Sequence, residues 1–387
     1  MTITESIRYI GVNDHETDLF EGQFAVPDGM AYNSYLLLDE KNAVLDTVDG
    51  RFAGEWLEKL ETALAGRQPD YLVLHHVEPD HSSSLAQFLA RWPETEVVAG
   101  ERAFPMLAQF YGGGLIRRPH PVGDGAVLPL GTHTLRFFAA PMVHWPEVMV
   151  SYEEAERTLF SADAFGKFGA LDAPEGDGWA CEARRYYFGI VGKYGAPVQA
   201  LLKKLEPLPL ARICPLHGPV LSEDLETCVG LYDDWSSYRP ESRGVCIAFS
   251  SVYGHTKQAA DYLAGALRAR GCETVAVSDL ARCDMAEAVE DAFRYDRLVL
   301  ATTTYNGDIF PCMKQFIAAL AERGYQKRTV ALIENGSWAP QAARRMRQLL
   351  EPCRELTFAA PVVTLRGAMD DAARAAADAL AGALCSE

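Results

Sequence analysis

Short apolar runs, each interrupted by a charged or turn-forming cluster, dominate the first 240 positions of the chain. The segment NSYLLLDEKNAVLDTVDG, beginning at Asn33, holds two apolar runs around a charged turn and predicts a hairpin. YLVLHH, EVVAG, HTLRFFAAP and TLFSADAF predict further sheet strands, with occasional helices between them. The polar stretch DDWSSYRPESRG, residues 233–244, contains one proline and predicts a linker. Beyond it the pattern becomes a regular strand–helix alternation. Strands are predicted at 245–249, 274–277, 297–301, 329–333 and 361–365, separated by amphipathic helices, with a last helix over 372–384. Strands joined by helical crossovers build a doubly wound, five-stranded parallel sheet. Two domains are therefore expected, 1–240 and 241–387.

A length of 387 residues agrees with two domains. Charge divides the chain at the same place. Residues 1–240 carry 19 Lys and Arg against 35 Asp and Glu, whereas 241–387 carry 17 against 18. So acidic a first half argues against a nucleic-acid partner. No apolar run approaches the roughly 20 residues of a membrane span. The start, MTITESIRYIG, lacks the basic and apolar regions of a signal peptide. Nine cysteines, odd in number and without a CxxC pair, predict reduced thiols in a cytoplasmic protein. They also exclude a fused iron–sulfur or rubredoxin-type four-cysteine module, and no further module after the second domain is expected.

Candidate chemistry concentrates in LHHVEPDHSSSL. His76, Glu78, Asp80 and His81 follow directly on a predicted strand, so a tight loop can aim four side chains at one point. A polar loop with hydrogen-bonded histidines is the plainer reading, and it suits His75, whose side chain should point to the opposite face. More ligands follow: His144 in APMVHWPE, Asp163 in LFSADAF and His217 in ICPLHGP, each after an apolar run. His15, His120 and His133 fall outside this pattern and are read as surface or structural.

The order H-x-E-x-D-H, His, Asp, His resembles the metallo-β-lactamase fold in its flavodiiron version. The resemblance implies an N-terminal αββα sandwich in which His76, Glu78 and His144 hold one iron. By the same resemblance Asp80, His81 and His217 would hold the other, with Asp163 bridging them. Zinc hydrolases of this fold have a histidine where this chain has Glu78. A carboxylate there makes the site harder and more anionic, which suits iron over zinc.

In the second half, GVCIAFSSVYGHTKQAADYLAGAL reads as strand, hydroxyl-rich loop and helix. Ser251, Val252, Tyr253, Gly254, His255 and Thr256 fall where backbone N–H groups and hydroxyls surround a phosphate at a helix N-terminus. An ordinary loop capped by Thr256 is the alternative. Neither G-x-G-x-x-G nor G-K-[ST] occurs there, which disfavours dinucleotide and triphosphate sites. ATTTYNGDIFP and ENGSWAP follow the third and fourth strands and should reach the same sheet edge. Tyr305 and Trp338 can flank a flat ring, Thr304, Asn306 and Gly307 can donate to its polar edge, and Gly336 and Ser337 complete the last loop. Together the three loops resemble flavodoxin and imply FMN, although S-V-Y-G-H-T departs from the T-x-T-G-x-T of free flavodoxins.

The resemblance covers nearly the entire chain. It implies a flavodiiron oxidoreductase that reduces dioxygen to water, nitric oxide to nitrous oxide, or both. Electrons would come through FMN from a donor such as rubredoxin or a reduced deazaflavin coenzyme. Tyr186, Tyr187 and Tyr194 are candidates for proton delivery. A head-to-tail homodimer, or a dimer of dimers, would set the flavin of one chain against the irons of another. Two other classes stay open at this point: a zinc hydrolase with a regulatory flavin domain, and a non-catalytic electron carrier.

Overall fold

The hairpin expected from Asn33 forms between strands Tyr35–Leu37 and Ala43–Leu45, with Leu36 opposite Val44. In this computed structural model, which describes residues 2–174, 176 and 178–385, the chain separates into two compact units, Met1–Asp233 and Asp234–Glu387.

The first unit is built on two sheets. One has six strands in the order Ile7–Tyr9, Tyr35–Leu37, Ala43–Leu45, Tyr71–Val73, Glu96–Gly100 and Pro119–Val122. The other has five, Val127–Pro129, Thr134–Ala139, Met149–Glu153, Thr158–Phe160 and Arg212–Cys214. Tyr35, Leu37, Leu45 and Val73 from the first sheet pack with Leu135, Phe137, Met149 and Phe160 from the second in one buried core. Alternate residues such as Leu36, Val44 and Leu72 are also fully buried, so the first sheet is covered on both faces. Helices Ala53–Leu64, Leu85–Arg91 and Ala103–Tyr111 belong to the first half of this αββα sandwich, and Trp179–Tyr186 and Gly195–Leu205 to the second.

The second unit is a parallel sheet in the order Val275–Asp279, Ser242–Phe249, Tyr295–Tyr305, Gln326–Asn335 and a fifth, edge position. This is the flavodoxin-like order 2-1-3-4-5. The edge differs from expectation. It is split into Arg354–Phe358, beside the first half of Gln326–Asn335, and Val363–Leu365, beside its end. RELTF alternates polar and apolar residues, as a half-exposed edge strand does, and lacks the apolar run that marks the inner strands.

The expected linker is also largely structured. Helix Leu225–Ser236 runs into its start and strand Ser242–Phe249 begins before its end. Between them Arg328 Nη1 donates to the Tyr238 carbonyl at 2.7 Å and Trp235 Nε1 donates to Glu241 at 2.9 Å. Polarity there reflects hydrogen bonding rather than slack. Among the described residues no disulfide joins any of the cysteines. Among the described residues no helix is long and apolar enough to cross a membrane.

Candidate metal centre and flavin pocket

Each side chain of the histidine cluster is delivered by the end of a strand. His76 follows Tyr71–Val73, and the chain then turns through Pro79 into the short helix Pro79–Ser82, which carries Asp80 and His81. Asp163 follows Thr158–Phe160, where Ala162 (φ 51°) and Phe165 (φ 66°) take left-handed backbone on either side. Such conformations are uncommon outside glycine and make the sharp turn that throws Asp163 inward. His217 follows Arg212–Cys214. Gly166 lies so near that a Cβ there would stand 3.3 Å from the Tyr186 ring and 3.5 Å from His217.

The donors form two groups, His76, Glu78, His144 and Asp163 in one and Asp80, His81 and His217 in the other. Within each, the ligand atoms lie within 4.8 Å of one another. Asp163 faces both. Its Oδ2 is 3.0 Å from His144 Nε2 and 3.6 Å from His76 Nε2. Its Oδ1 is 3.2 Å from His81 Nε2 and 3.9 Å from His217 Nε2. Glu78 Oε2 is 3.1 Å from both His76 and His144, and Asp80 Oδ2 is 3.3 Å from both His81 and His217.

Burial opposes charge on these groups, yet the crowding of opposite charges wins. Burial works against ionising Glu78, but hydrogen bonds from His144 and His76 bring its carboxyl down to about 2. Burial likewise disfavours a charged His144, but hydrogen bonds to Asp163 and Glu78 raise it to about 9. Even so, Asp80 Oδ1, Asp163 Oδ1, His81 Nε2 and His217 Nε2 are buried without a hydrogen-bond partner. Atoms that converge without bonding one another fit a metal ion between them, since buried polar atoms otherwise find partners. Four imidazoles and three carboxylates suit a divalent transition metal at each group.

The remaining histidines behave as expected. His75 turns to the other face, bonding Asp46 through Nδ1 at 2.5 Å and Ser151 through Nε2 at 2.7 Å. His133 pairs with Glu153, His120 with Glu96 and exposed His15 with Asp172. Of the tyrosines, Tyr186 lies against the cluster, its ring 5.5 Å from that of His217. Burial and then the charges of Asp163, Asp80 and Glu78 push its hydroxyl well above the ordinary range, and that hydroxyl has no hydrogen-bond partner. Tyr187 packs edge-on against Phe188 and Tyr232, and Tyr194 is half-buried.

In the second unit a cavity of about 540 Å³ opens at the carboxyl edge of the sheet. Ser251, Val252, Tyr253, His255, Thr256, Thr304, Tyr305, Asn306, Gly307, Gly336, Ser337 and Trp338 all line it. Gly254 does not, but its left-handed φ of 89° caps helix His255–Ala269, whose N-terminus faces the cavity. Asn306 and Gly307 close a two-residue hairpin between Tyr305 and Asp308, both with positive φ, the turn that an Asn-Gly pair favours. Sequence reasoning passed over Thr303, Asn335, Ala339, Gln341 and Gly367. Asn335 ties the loops together, donating to the Gly367 carbonyl and accepting the Gly367 N–H, each at 3.0 Å. Its place at the end of a buried strand was the available signal. Tyr253 and Trp338 are 89% and 90% exposed at the rim, so neither packs on protein and both are available to a planar ligand.

An αββα sandwich with a two-centre histidine–carboxylate cluster, followed by a flavodoxin-like sheet with a planar-ligand cavity, defines a metallo-flavoprotein of two domains. Comparison with known proteins agrees. The ODP family β-lactamase model matches residues 30–218, and a flavodoxin domain model matches 246–368. The chain belongs to the flavodiiron proteins. It is 27% identical over 374 residues to a nitric oxide reductase of Moorella thermoacetica, covering 95% of this chain and 93% of that one. Rubredoxin oxygen:oxidoreductase from Desulfovibrio gigas superposes with a TM-score of 0.91 at 23% identity, covering 100% of this chain and 97% of the other. The flavodiiron protein of Giardia intestinalis gives 0.89 at 23% identity, with 99% and 97% covered.

Proposed function

We propose that the protein reduces dioxygen to water, nitric oxide to nitrous oxide, or both, at a pair of irons supplied with electrons through FMN by an external donor. The observation that carries this reading is Asp163, with one oxygen turned to each of two histidine–carboxylate groups. His76, Glu78 and His144 would hold one iron, Asp80, His81 and His217 the other, with Asp163 shared. FMN would lie in the cavity between the loops at 251–256, 304–307 and 336–338. Bound there, two ferrous ions and one reduced flavin store four electrons, the number dioxygen needs.

The chain's own residues set the conditions for that chemistry. Glu78 in place of a histidine favours iron, which weighs against a zinc hydrolase. Together the three carboxylates offset much of the charge of two divalent cations. Tyr186 keeps its proton, and with its ring beside that of His217 and its hydroxyl in the field of Asp163, Asp80 and Glu78 it can donate a hydrogen bond to a bound substrate. The helix N-terminus at His255 offers N–H groups to a phosphate, and Tyr253, Tyr305 and Trp338 offer faces to the ring.

The names of the Moorella and Desulfovibrio proteins favour nitric oxide and dioxygen as substrates. They also favour rubredoxin as donor, with a reduced deazaflavin coenzyme the second possibility. A head-to-tail homodimer, alone or doubled, would bring a near-neutral flavodoxin domain against a strongly acidic partner domain without large repulsion. Anaerobically reduced protein mixed with dioxygen or nitric oxide, alongside metal analysis, tests the reading. Consumption of at least one gas by an iron-loaded chain is expected. One tightly held zinc per chain with hydrolytic activity would sink it. The dimer has its own test. After subunit exchange, a His81→Ala chain mixed with a chain unable to bind FMN should recover part of the activity, and no recovery in proven heterodimers would rule out transfer between chains.

A further inference from the structure

The segment that delivers His144 also delivers Glu147, a buried carboxylate that the ligand set leaves unused. Its Oε1 accepts a hydrogen bond from His76 Nδ1 at 2.7 Å and another from the Val77 backbone N–H at 3.1 Å. A carboxylate can only accept, so His76 carries a hydrogen on Nδ1, which leaves Nε2, the nitrogen turned to Glu78, as the one a metal ion would take in place of a proton. The other group has no such support. His217 Nδ1 donates to the neutral Ala31 carbonyl at 2.7 Å. His81 Nδ1 is buried with no hydrogen-bond partner.

Without Glu147 the two groups would be matched in charge, since each has one carboxylate of its own and a share in Asp163. We infer that Glu147 makes the two metal positions unequal, so that the His76, Glu78 and His144 position binds a divalent ion first and more tightly than the Asp80, His81 and His217 position. A carboxylate behind an imidazole fixes the ring and strengthens its donor nitrogen, and losing such a partner typically weakens metal binding about 10–100-fold. A carbonyl fixes the tautomer but adds no charge. Glu147 is thus a positioning residue, acting on the metal through His76. The inference rests on the two-metal reading above.

The test uses the full-length chain, stripped of metal but retaining FMN, titrated anaerobically with Co(II) by calorimetry against a competing chelator. Native protein should take up two ions in two steps. His144→Ala should abolish the tight step and His217→Ala the weak one. Glu147→Gln keeps an acceptor oxygen for His76 and Val77 but removes the charge. It should weaken the tight step about 10–100-fold and leave the weak step unchanged. Glu147 acting only as a loop support would leave the Gln variant with native affinities. That result, two equal steps in native protein, or loss of the tight step in His217→Ala would each overturn the inference. The two histidine variants decide the order of binding even if Glu147→Gln fails to fold. Uptake of fewer than two ions by native protein would instead strike the two-metal reading itself.

Discussion

Glu78 Oε2 stands 3.1 Å from His144 Nε2, which puts a carboxylate and an imidazole from separate segments at one candidate metal position. Hydrolases of this fold use a neutral histidine in place of that carboxylate. Glu78→Ala should therefore lose most of one iron per chain, while Asp80, His81 and His217 keep the second and FMN is retained. Metal analysis with the flavin spectrum as internal reference checks this. Equal loss of both metals, or of neither, would contradict the division into two groups.

Trp338 has almost no protein contact, so its ring is free to lie on a flavin. A π-face contact adds about 1 kcal/mol beyond burial, and Trp338→Ala should weaken FMN binding roughly fivefold or more. The flavin spectrum should shift and iron content should stay constant. Flavin fluorescence titration of the apoprotein measures the affinity, and an unchanged value would place the ring elsewhere in the cavity.

His75 serves stability rather than metal binding. It joins Asp46, at the end of one sheet's strand, to Ser151, inside a strand of the other sheet. His75→Ala would leave Asp46 Oδ2 buried without its partner, at a cost on the order of 2–3 kcal/mol. Denaturant unfolding followed by circular dichroism should show the drop, with metal stoichiometry unchanged in the folded protein. Loss of metal with no loss of stability would reverse the assignment.

Helix Ala342–Leu349 carries Arg344, Arg345 and Arg347, a basic group beside the flavin cavity, but the three are not equivalent. Arg347 lies over the Phe358 ring at 4.1 Å, and Arg345 Nε donates to Asp308 at 3.0 Å. Arg344 is exposed and donates to the neutral Gln341, with no ion pair among the described residues, so it is the one to reverse. Arg344→Glu should slow reduction by an acidic donor at low salt and have little effect at high salt. Stopped-flow reduction at two ionic strengths measures this. Equal rates at low salt would move the docking surface away from this helix.

How much of this could be read in the residues depended on where each group sits. The seven clustered ligands stood out because each follows an apolar run that can only be a buried strand. The flavin loops stood out because hydroxyls, glycines and aromatics fall together at strand ends. Glu147 did not, since a single glutamate after Trp-Pro is ordinary until folding sets it against His76, far away in sequence. Asn306 and Gly307 line the cavity where donors are expected and also turn a hairpin, a role the Asn-Gly pair itself signals. The split edge strand escaped because RELTF carries its alternation on a half-exposed surface, where periodicity is weakest.

The order of the ligands along the chain has a consequence for synthesis. His76, Glu78, His144 and Asp163 all precede residue 164, whereas His217 arrives with strand Arg212–Cys214, which pairs beside Thr158–Phe160. A nascent chain thus exposes the complete donor set of one position while the other still lacks its last imidazole. At roughly 5–20 residues made per second, His217 is synthesised seconds after Asp163. A ribosome-stalled chain ending before His217 would carry the whole donor set of the first group only, and the second group is complete only in the finished sandwich.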